Sequence, residues 1–157
     1  MKILYAAAMA AALLAGPAAF AQEKSADNMA LLLEKVRADK KLLVATNMEM
    51  TEPEAAAFWP VYDAYQKELA VLNGRTRTLI TNYAELYNQE AVTDDKAKQL
   101  LDEALAIEGA ELDLRKSYVS KFGKVLPASK VARYYQIENK IRSAVKADLA
   151  GAIPLVQ

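Results

Sequence analysis

The chain has 157 residues, of which 54% are apolar and 25% are charged, as expected of one globular domain. Twenty basic residues balance twenty acidic ones, so the chain lacks the basic excess that a nucleic-acid partner requires. It has no cysteine and no histidine. These absences exclude disulfides, thiol catalysis, histidine-dependent triads, a lipid anchor on an N-terminal cysteine, and the usual zinc and copper sites.

The first 21 residues predict a cleaved signal peptide. Lys2 gives the positive start, residues 3–16 are uncharged and rich in alanine and leucine, and Ala19-Phe20-Ala21 fits the cleavage pattern. An uncleaved membrane anchor is the alternative, because residues 3–21 are just long enough to span a bilayer. Cleavage would leave one domain, residues 22–157, without a further segment for stable membrane insertion. We therefore expect a periplasmic protein.

Beyond the signal peptide, apolar residues recur at spacings of three and four, which predicts an all-α fold of about four helices. The first helix is expected over about 27–47. The second begins at Thr51, which forms a capping box with Glu54 that satisfies free backbone N–H groups. The apolar seam that follows stays in phase for four heptads, so we predict one long helix over about 52–89, bent at Pro60.

The third predicted helix carries two apolar stripes and therefore needs more than one packing partner. It opens at Thr93 with two acidic residues and ends near Gly123. The first stripe consists of Leu100, Ala104, Ile107, Leu114, Tyr118 and Phe122, and the second of Leu101, Leu105, Leu112 and Val119. A fourth helix from Pro127 to Gly151 and an extended tail complete the chain.

Charge is unevenly divided along the third helix. Residues 85–113 contain nine acidic residues and two lysines, whereas residues 114–137 contain six basic residues and no acidic one. Compensation of the helix dipole explains part of this asymmetry. Antiparallel pairing with a second copy would explain the rest, because each acidic half would lie on a basic half that includes Arg115, Lys116 and Lys121. We therefore predict a homodimer.

Aromatic residues gather at the starts of the second and fourth helices. Phe58 and Trp59 differ by about 100° around the helix, as do the two tyrosines that open the fourth helix, so neither pair fits one narrow seam. Either these side chains fill a broad core, or Trp59 and Tyr135 line an apolar binding surface with Met48 and Met50 as adaptable neighbours.

The sequence contains no convincing catalytic or cofactor-binding set. A di-iron helical bundle needs Glu-x-x-His pairs, and the chain has no histidine. Ser143 and Lys146 match an S-x-x-K pattern, but the companion motifs of penicillin-binding enzymes are missing. No glycine-rich phosphate loop occurs. We expect no enzyme activity, no cofactor, no metal and no nucleic-acid partner.

Two helix starts resemble the motifs of a known family. Met50-Thr51-Glu52-Pro53-Glu54 and Leu126-Pro127-Ala128-Ser129-Lys130 are similar to the two L-T-x-x-Q motifs of the Spy/CpxP family of periplasmic proteins. Methionine replaces leucine and glutamate replaces glutamine at the first site. Proline replaces threonine and lysine replaces glutamine at the second. The likeness covers about residues 29–149.

The resemblance implies a four-helix, cradle-like antiparallel dimer. It also implies an ATP-independent, holdase-type chaperone for unfolded periplasmic proteins, or an envelope-stress adaptor that binds the periplasmic domain of a sensor kinase. The alternative is a structural helical adaptor for one specific partner, without general chaperone activity. We assign client or partner contact to Met48, Met50, Trp59 and Tyr135 and to the three basic residues of the third helix.

Overall fold

A computed structural model describes residues 37–156 of the chain. Within this range the fold is all-α, with four helices and no strand. Helix α1 is described over 37–48 and is followed by α2 (Glu52–Asn88), α3 (Asp94–Gly123) and α4 (Ala128–Ala152). The prediction of an all-α chain with about four helices is confirmed. The predicted signal peptide and the predicted start of the first helix lie outside the described residues.

The chain forms two compact units that divide between Thr46 and Asn47, so helices α2, α3 and α4 belong to the second unit. In α1, the Thr46 hydroxyl donates a hydrogen bond to the Leu42 carbonyl oxygen at 2.9 Å. Leu43 is exposed, whereas Val44 beside it is fully buried.

Helix α2 is one uninterrupted helix of 37 residues, about 55 Å long. It continues through Pro60 and Gly74, which confirms the prediction of a single long helix. The capping box at its start is present. Glu54 Oε2 accepts the backbone N–H of Thr51 at 2.8 Å and the Thr51 hydroxyl at 3.0 Å. These bonds satisfy polar groups at the first turn of α2. Further along, Pro60 has no backbone N–H, so the helix lacks one hydrogen bond there.

An aromatic core joins the first half of α2, the second half of α3 and the first half of α4. Six buried rings form it: Phe58, Tyr62, Tyr65, Tyr118, Phe122 and Tyr134. The closest ring pair joins α3 to α4, with 4.7 Å between the centroids of Phe122 and Tyr134. Two further pairs have centroids 5.2 Å apart: Phe58 with Tyr134 joins α2 to α4, and Tyr65 with Tyr118 joins α2 to α3. The seam of α2 is therefore fully buried only over its first three aromatic residues.

The second half of α2, the first half of α3 and the second half of α4 are packed less tightly, and we call this region the arm. Helices α2 and α3 pack antiparallel. Arg75 of α2 forms a bidentate ion pair with Glu103 of α3, with two hydrogen bonds of 3.0 Å. Helix α4 runs in the same direction as α2. Near the middle of α4 Glu138 accepts a hydrogen bond from Gln66 at 3.1 Å, and past the end of α4 the Pro154 carbonyl accepts one from the Tyr83 hydroxyl at 2.9 Å.

Candidate protein-binding site

The two motif-like helix starts contact each other in the fold. Glu54, in the first turn of α2, forms an ion pair with Lys130, in the first turn of α4. The hydrogen bond from Lys130 and that from the Thr51 backbone hold the pKa of the Glu54 carboxyl below its ordinary value. The two positions at which this chain departs from the glutamine of the L-T-x-x-Q pattern therefore pair as opposite charges.

Arg133, one turn further along α4, holds the turn between α1 and α2. Its Nε donates to the Asn47 carbonyl oxygen at 2.6 Å, and a terminal nitrogen donates to Glu49 Oε1 at 2.7 Å. Glu49 adopts a left-handed backbone conformation with φ of 50°, which a non-glycine residue adopts only at a cost. Met48, the last residue of α1, and Met50 flank Glu49, so α4 contacts the segment that carries both methionines.

The apolar residues that we assigned to client contact lie in or beside the aromatic core. Met48 is fully buried, and Met50, Trp59 and Tyr135 are half-buried. The Trp59 ring packs edge-on against Phe58, with 5.1 Å between the centroids. The Tyr135 hydroxyl donates to the Arg115 carbonyl oxygen at 2.6 Å. This placement fits the broad-core interpretation of the aromatic residues and leaves little of their surface for a client.

The three basic residues that we assigned to partner contact have different surroundings. Lys116 and Lys121 are exposed, whereas Arg115 is half-buried. The Lys121 Nζ lies 3.7 Å from the centroid of the Tyr118 ring, a cation–π contact. Arg115 donates to the Glu111 carbonyl oxygen at 3.4 Å and lies 4.0 Å from its carboxylate. The Lys116 side chain is 68% exposed, and its Nζ lies 3.9 Å from the Asp113 carboxylate.

The second apolar stripe of α3 lies on the protein surface. Leu101 and Leu105 are each 58% exposed, Leu112 is 43% exposed and Val119 is 48% exposed. Spacings of four, seven and seven keep all four side chains within about 40° of the helix circumference, roughly 100° away from the stripe that packs on α2 and α4. We define these four residues as the α3 stripe. The sequence predicted the stripe and its need for a partner, but we did not include its residues among the binding residues.

A groove of 420 Å³ runs between α2 and α3 in the arm, and three of its lining residues are Leu79, Leu86 and Leu100. Arg75 and Glu103 also line it, but they satisfy each other, and the ion pair lowers the pKa of the Glu103 carboxyl. Lys96 lines the groove as well, so its ammonium group is a further charge there beside the Arg75–Glu103 pair.

A buried polar group in the aromatic core escaped the sequence analysis. Glu138 Oε1 accepts hydrogen bonds from the Tyr134 hydroxyl at 3.2 Å and from Gln66 at 3.1 Å. Val131, Tyr134 and Glu138 are spaced by three and four residues, so the sequence did place Glu138 on the apolar face of α4 and could have predicted its burial. Burial raises the pKa of Tyr134 above its ordinary value and that of Tyr135 to about 12, so these hydroxyls stay protonated at neutral pH.

Among residues 37–156, no cluster of three or more acidic side chains is arranged to hold a metal ion. No helix in the described range combines the length and apolar character needed to cross a membrane. No protein family, curated protein or solved structure matches the chain.

Proposed function

We propose that the protein is a periplasmic, ATP-independent binder of other proteins that acts as a holdase-type chaperone or envelope-stress adaptor. The observation that carries this proposal is the α3 stripe: four large apolar side chains exposed on a helix that is held from behind by α2 and α4. Contiguous exposed apolar surface on a soluble domain is typical of a protein-interaction site. The periplasmic location rests on the predicted signal peptide, and the chaperone class on the Spy/CpxP resemblance.

The α3 stripe is better suited to contact a partner than the aromatic end of the molecule. Burial of apolar surface contributes about 25 cal/mol per Å², and Met48 and the core rings have already gained that contribution within the fold. The leucines of the α3 stripe have not. The charged residues beside them favour recruitment through long-range attraction, which is the behaviour needed for partners of varied sequence.

An aggregation assay tests this proposal. Light scattering of two unrelated proteins, unfolded by heat, would be measured with the exported protein at near-stoichiometric ratio. We expect protection of both, and we expect the variant with Leu105→Gln and Leu112→Gln to lose most of it. Val71→Gln is the matched control, because Val71 is 66% exposed on α2, away from the stripe.

Three outcomes decide between the interpretations. Protection that depends on the two leucines supports the chaperone. Protection that survives the double variant would move the client surface away from α3. Failure to protect any unrelated protein would contradict the holdase and favour the alternative, a structural adaptor for one specific partner. Trp59 gives a second signal: since it packs in the aromatic region, its emission should not change when a client binds the stripe.

A further inference from the structure

The groove between α2 and α3 in the arm combines an apolar lining with an unpaired positive charge. Leu79, Leu86 and Leu100 line it, and each is half-buried, so part of their apolar surface is still open to water. The volume of 420 Å³ lies within the range of small-molecule sites. Such sites are mostly apolar and carry a few polar groups that fix the orientation of the ligand. The groove therefore has the size and the composition of a ligand site.

Polar side chains stand at two levels along the groove. At the inner level Arg75 and Glu103 bind each other through two hydrogen bonds of 3.0 Å. Because α2 and α3 are antiparallel, this pair sets the register and places Asn82 level with Lys96, about 10 Å closer to the turn between the helices. Leu79 lies between the two levels. An extended ligand with an apolar chain and a polar head group matches this order.

The charges of the lining favour an anionic head group. The Glu103 carboxylate is satisfied by Arg75, whereas the Lys96 side chain makes no hydrogen bond or ion pair in the part of the chain that the structure describes. Asp94 and Asp95 lie in the same helical turn as Lys96 but do not line the groove. The groove therefore presents one free ammonium group to a ligand.

We infer that the groove binds a single-chain alkyl carboxylate, with the carboxylate at Lys96 and Asn82 and the alkyl chain along the leucines of the lining. The Lys96 ammonium group supplies charge and hydrogen-bond donors, and the Asn82 amide supplies a further donor. From Arg75 to Leu86 the groove follows about 16 Å of α2, which accommodates a chain of medium length. Each methylene group that leaves water should raise the affinity up to about fourfold.

This site is separate from the surface that the proposed function uses. Gln99 lies about 160° around α3 from Leu101 of the α3 stripe, and Glu103 lies about 160° from Leu105. A ligand in the groove and a client on the stripe therefore occupy different sides of the helix. The inference does not depend on chaperone activity.

Titration of the exported protein with decanoate tests the inference. Methyl NMR should show shifts at Leu79, Leu86 and Leu100, and calorimetry should give the affinity. Octanoate and then hexanoate should bind more weakly, by about twofold to fourfold for each methylene group lost. Decanol and decyltrimethylammonium have the same chain with a neutral and a cationic head group, and both should bind more weakly than decanoate.

Variants of two neighbouring lysines separate direct contact from general charge. Lys96→Gln should weaken decanoate binding by about threefold to tenfold and leave decanol binding unchanged. Lys98→Gln is the matched control, because Lys98 is an exposed lysine of the same helix that pairs with Asp102 and does not line the groove. The variant with Leu105→Gln and Leu112→Gln should bind decanoate as tightly as the unmodified protein does.

Several results would overturn the inference. Equal affinity for decanoate and decanol, or equal losses in Lys96→Gln and Lys98→Gln, would show that the Lys96 charge does not contact the ligand. Shifts confined to Leu105 and Leu112 would place decanoate on the α3 stripe. Groove shifts that follow an unfolded client or rising protein concentration, but not decanoate, would assign the groove to a protein partner instead. Decanoate binding is measured without a client, so failure of the aggregation assay leaves this inference intact, and the reverse also holds.

Discussion

Phe122 is the side chain on which three helices converge, so truncating it should weaken the fold strongly. It is fully buried, and its ring lies within 6.2 Å, centroid to centroid, of five other aromatic rings from α2, α3 and α4. Replacing a buried phenylalanine with alanine costs about 3–5 kcal/mol through lost transfer energy and the cavity left behind. Aromatic pairs contribute about 0.5–1.5 kcal/mol beyond their area. We therefore expect Phe122→Ala to fall in the upper part of that range.

Urea unfolding followed by circular dichroism measures this loss. A domain of this size is stable by about 5–15 kcal/mol in total, so the variant should lose a third or more of its stability at an unchanged dependence on urea. Val145→Ala is the control: Val145 is 53% exposed on α4, and its truncation should change stability by less than about 0.5 kcal/mol. Both variants should be measured at one protein concentration, because self-association would add to the apparent stability.

A loss below about 1 kcal/mol, or one equal to that of Val145→Ala, would refute the convergence of three helices on Phe122. If Phe122→Ala does not fold, Phe122→Leu serves the same purpose. It keeps most of the apolar volume and should lose less stability than the alanine variant, but still more than the control.

Three smaller changes test the ends of helix α2. Thr51→Ala should cost about 1 kcal/mol in thermal unfolding, because it removes the cap residue of the capping box, and an unchanged melting temperature would contradict the cap. The lowered pKa of Glu54 means that its contribution to stability is complete above its ordinary value of 4.5 and is lost as the pH falls through the lowered value. Lys130→Gln should therefore reduce the acid sensitivity of stability in that range, whereas Lys124→Gln, at an exposed site, should not; equal acid profiles would argue against the ion pair. Glu90 follows α2 in a left-handed conformation with φ of 53°, so Glu90→Gly should raise stability by about 1 kcal/mol in the same urea assay, and a loss of stability would show that the Glu90 side chain contributes there.

The sequence determines most of the fold because its local signals agree with its apolar periodicity. The capping box at Thr51 and the cap at Thr93 mark helix starts where the structure has them, and Gly123 ends α3. Pro60 and Gly74 tend to break helices, but the apolar seam continues in phase across both. The prediction of one long helix from this seam is confirmed. The two apolar stripes of α3 were read from the sequence, but it did not indicate that the first is packed and the second exposed.

The remaining features depend on tertiary contacts that leave no local pattern. Helix α2 ends in a Schellman arrangement, in which the N–H of Ala91 reaches the Leu86 carbonyl at 2.9 Å, but glutamate stands where glycine is usual. Met48 is fully buried, as is Val44 one helical turn before it, but the sequence placed Met48 just beyond the end of the predicted first helix, so this spacing was not used. Val145 continues the apolar face of α4 and is nevertheless exposed, since that part of α4 lies beside the less tightly packed arm.

The predicted antiparallel pairing of two copies through α3 would have its largest effect on stability in the arm. No residue of α2 after Tyr65 is buried, and the first buried residue of α3 is Ile107. Antiparallel pairing would cover Leu101 and Leu105 in the arm, and the added burial would stabilise it by mass action. Hydrogen exchange of α3 amides over residues 98–106 should therefore slow as protein concentration rises, whereas residues 115–122, beside the aromatic core, should change less. Leu112→Glu should abolish the concentration dependence in both segments while leaving the slow exchange at the core. Exchange in the arm that is independent of concentration would show that α3 is stabilised within one chain alone.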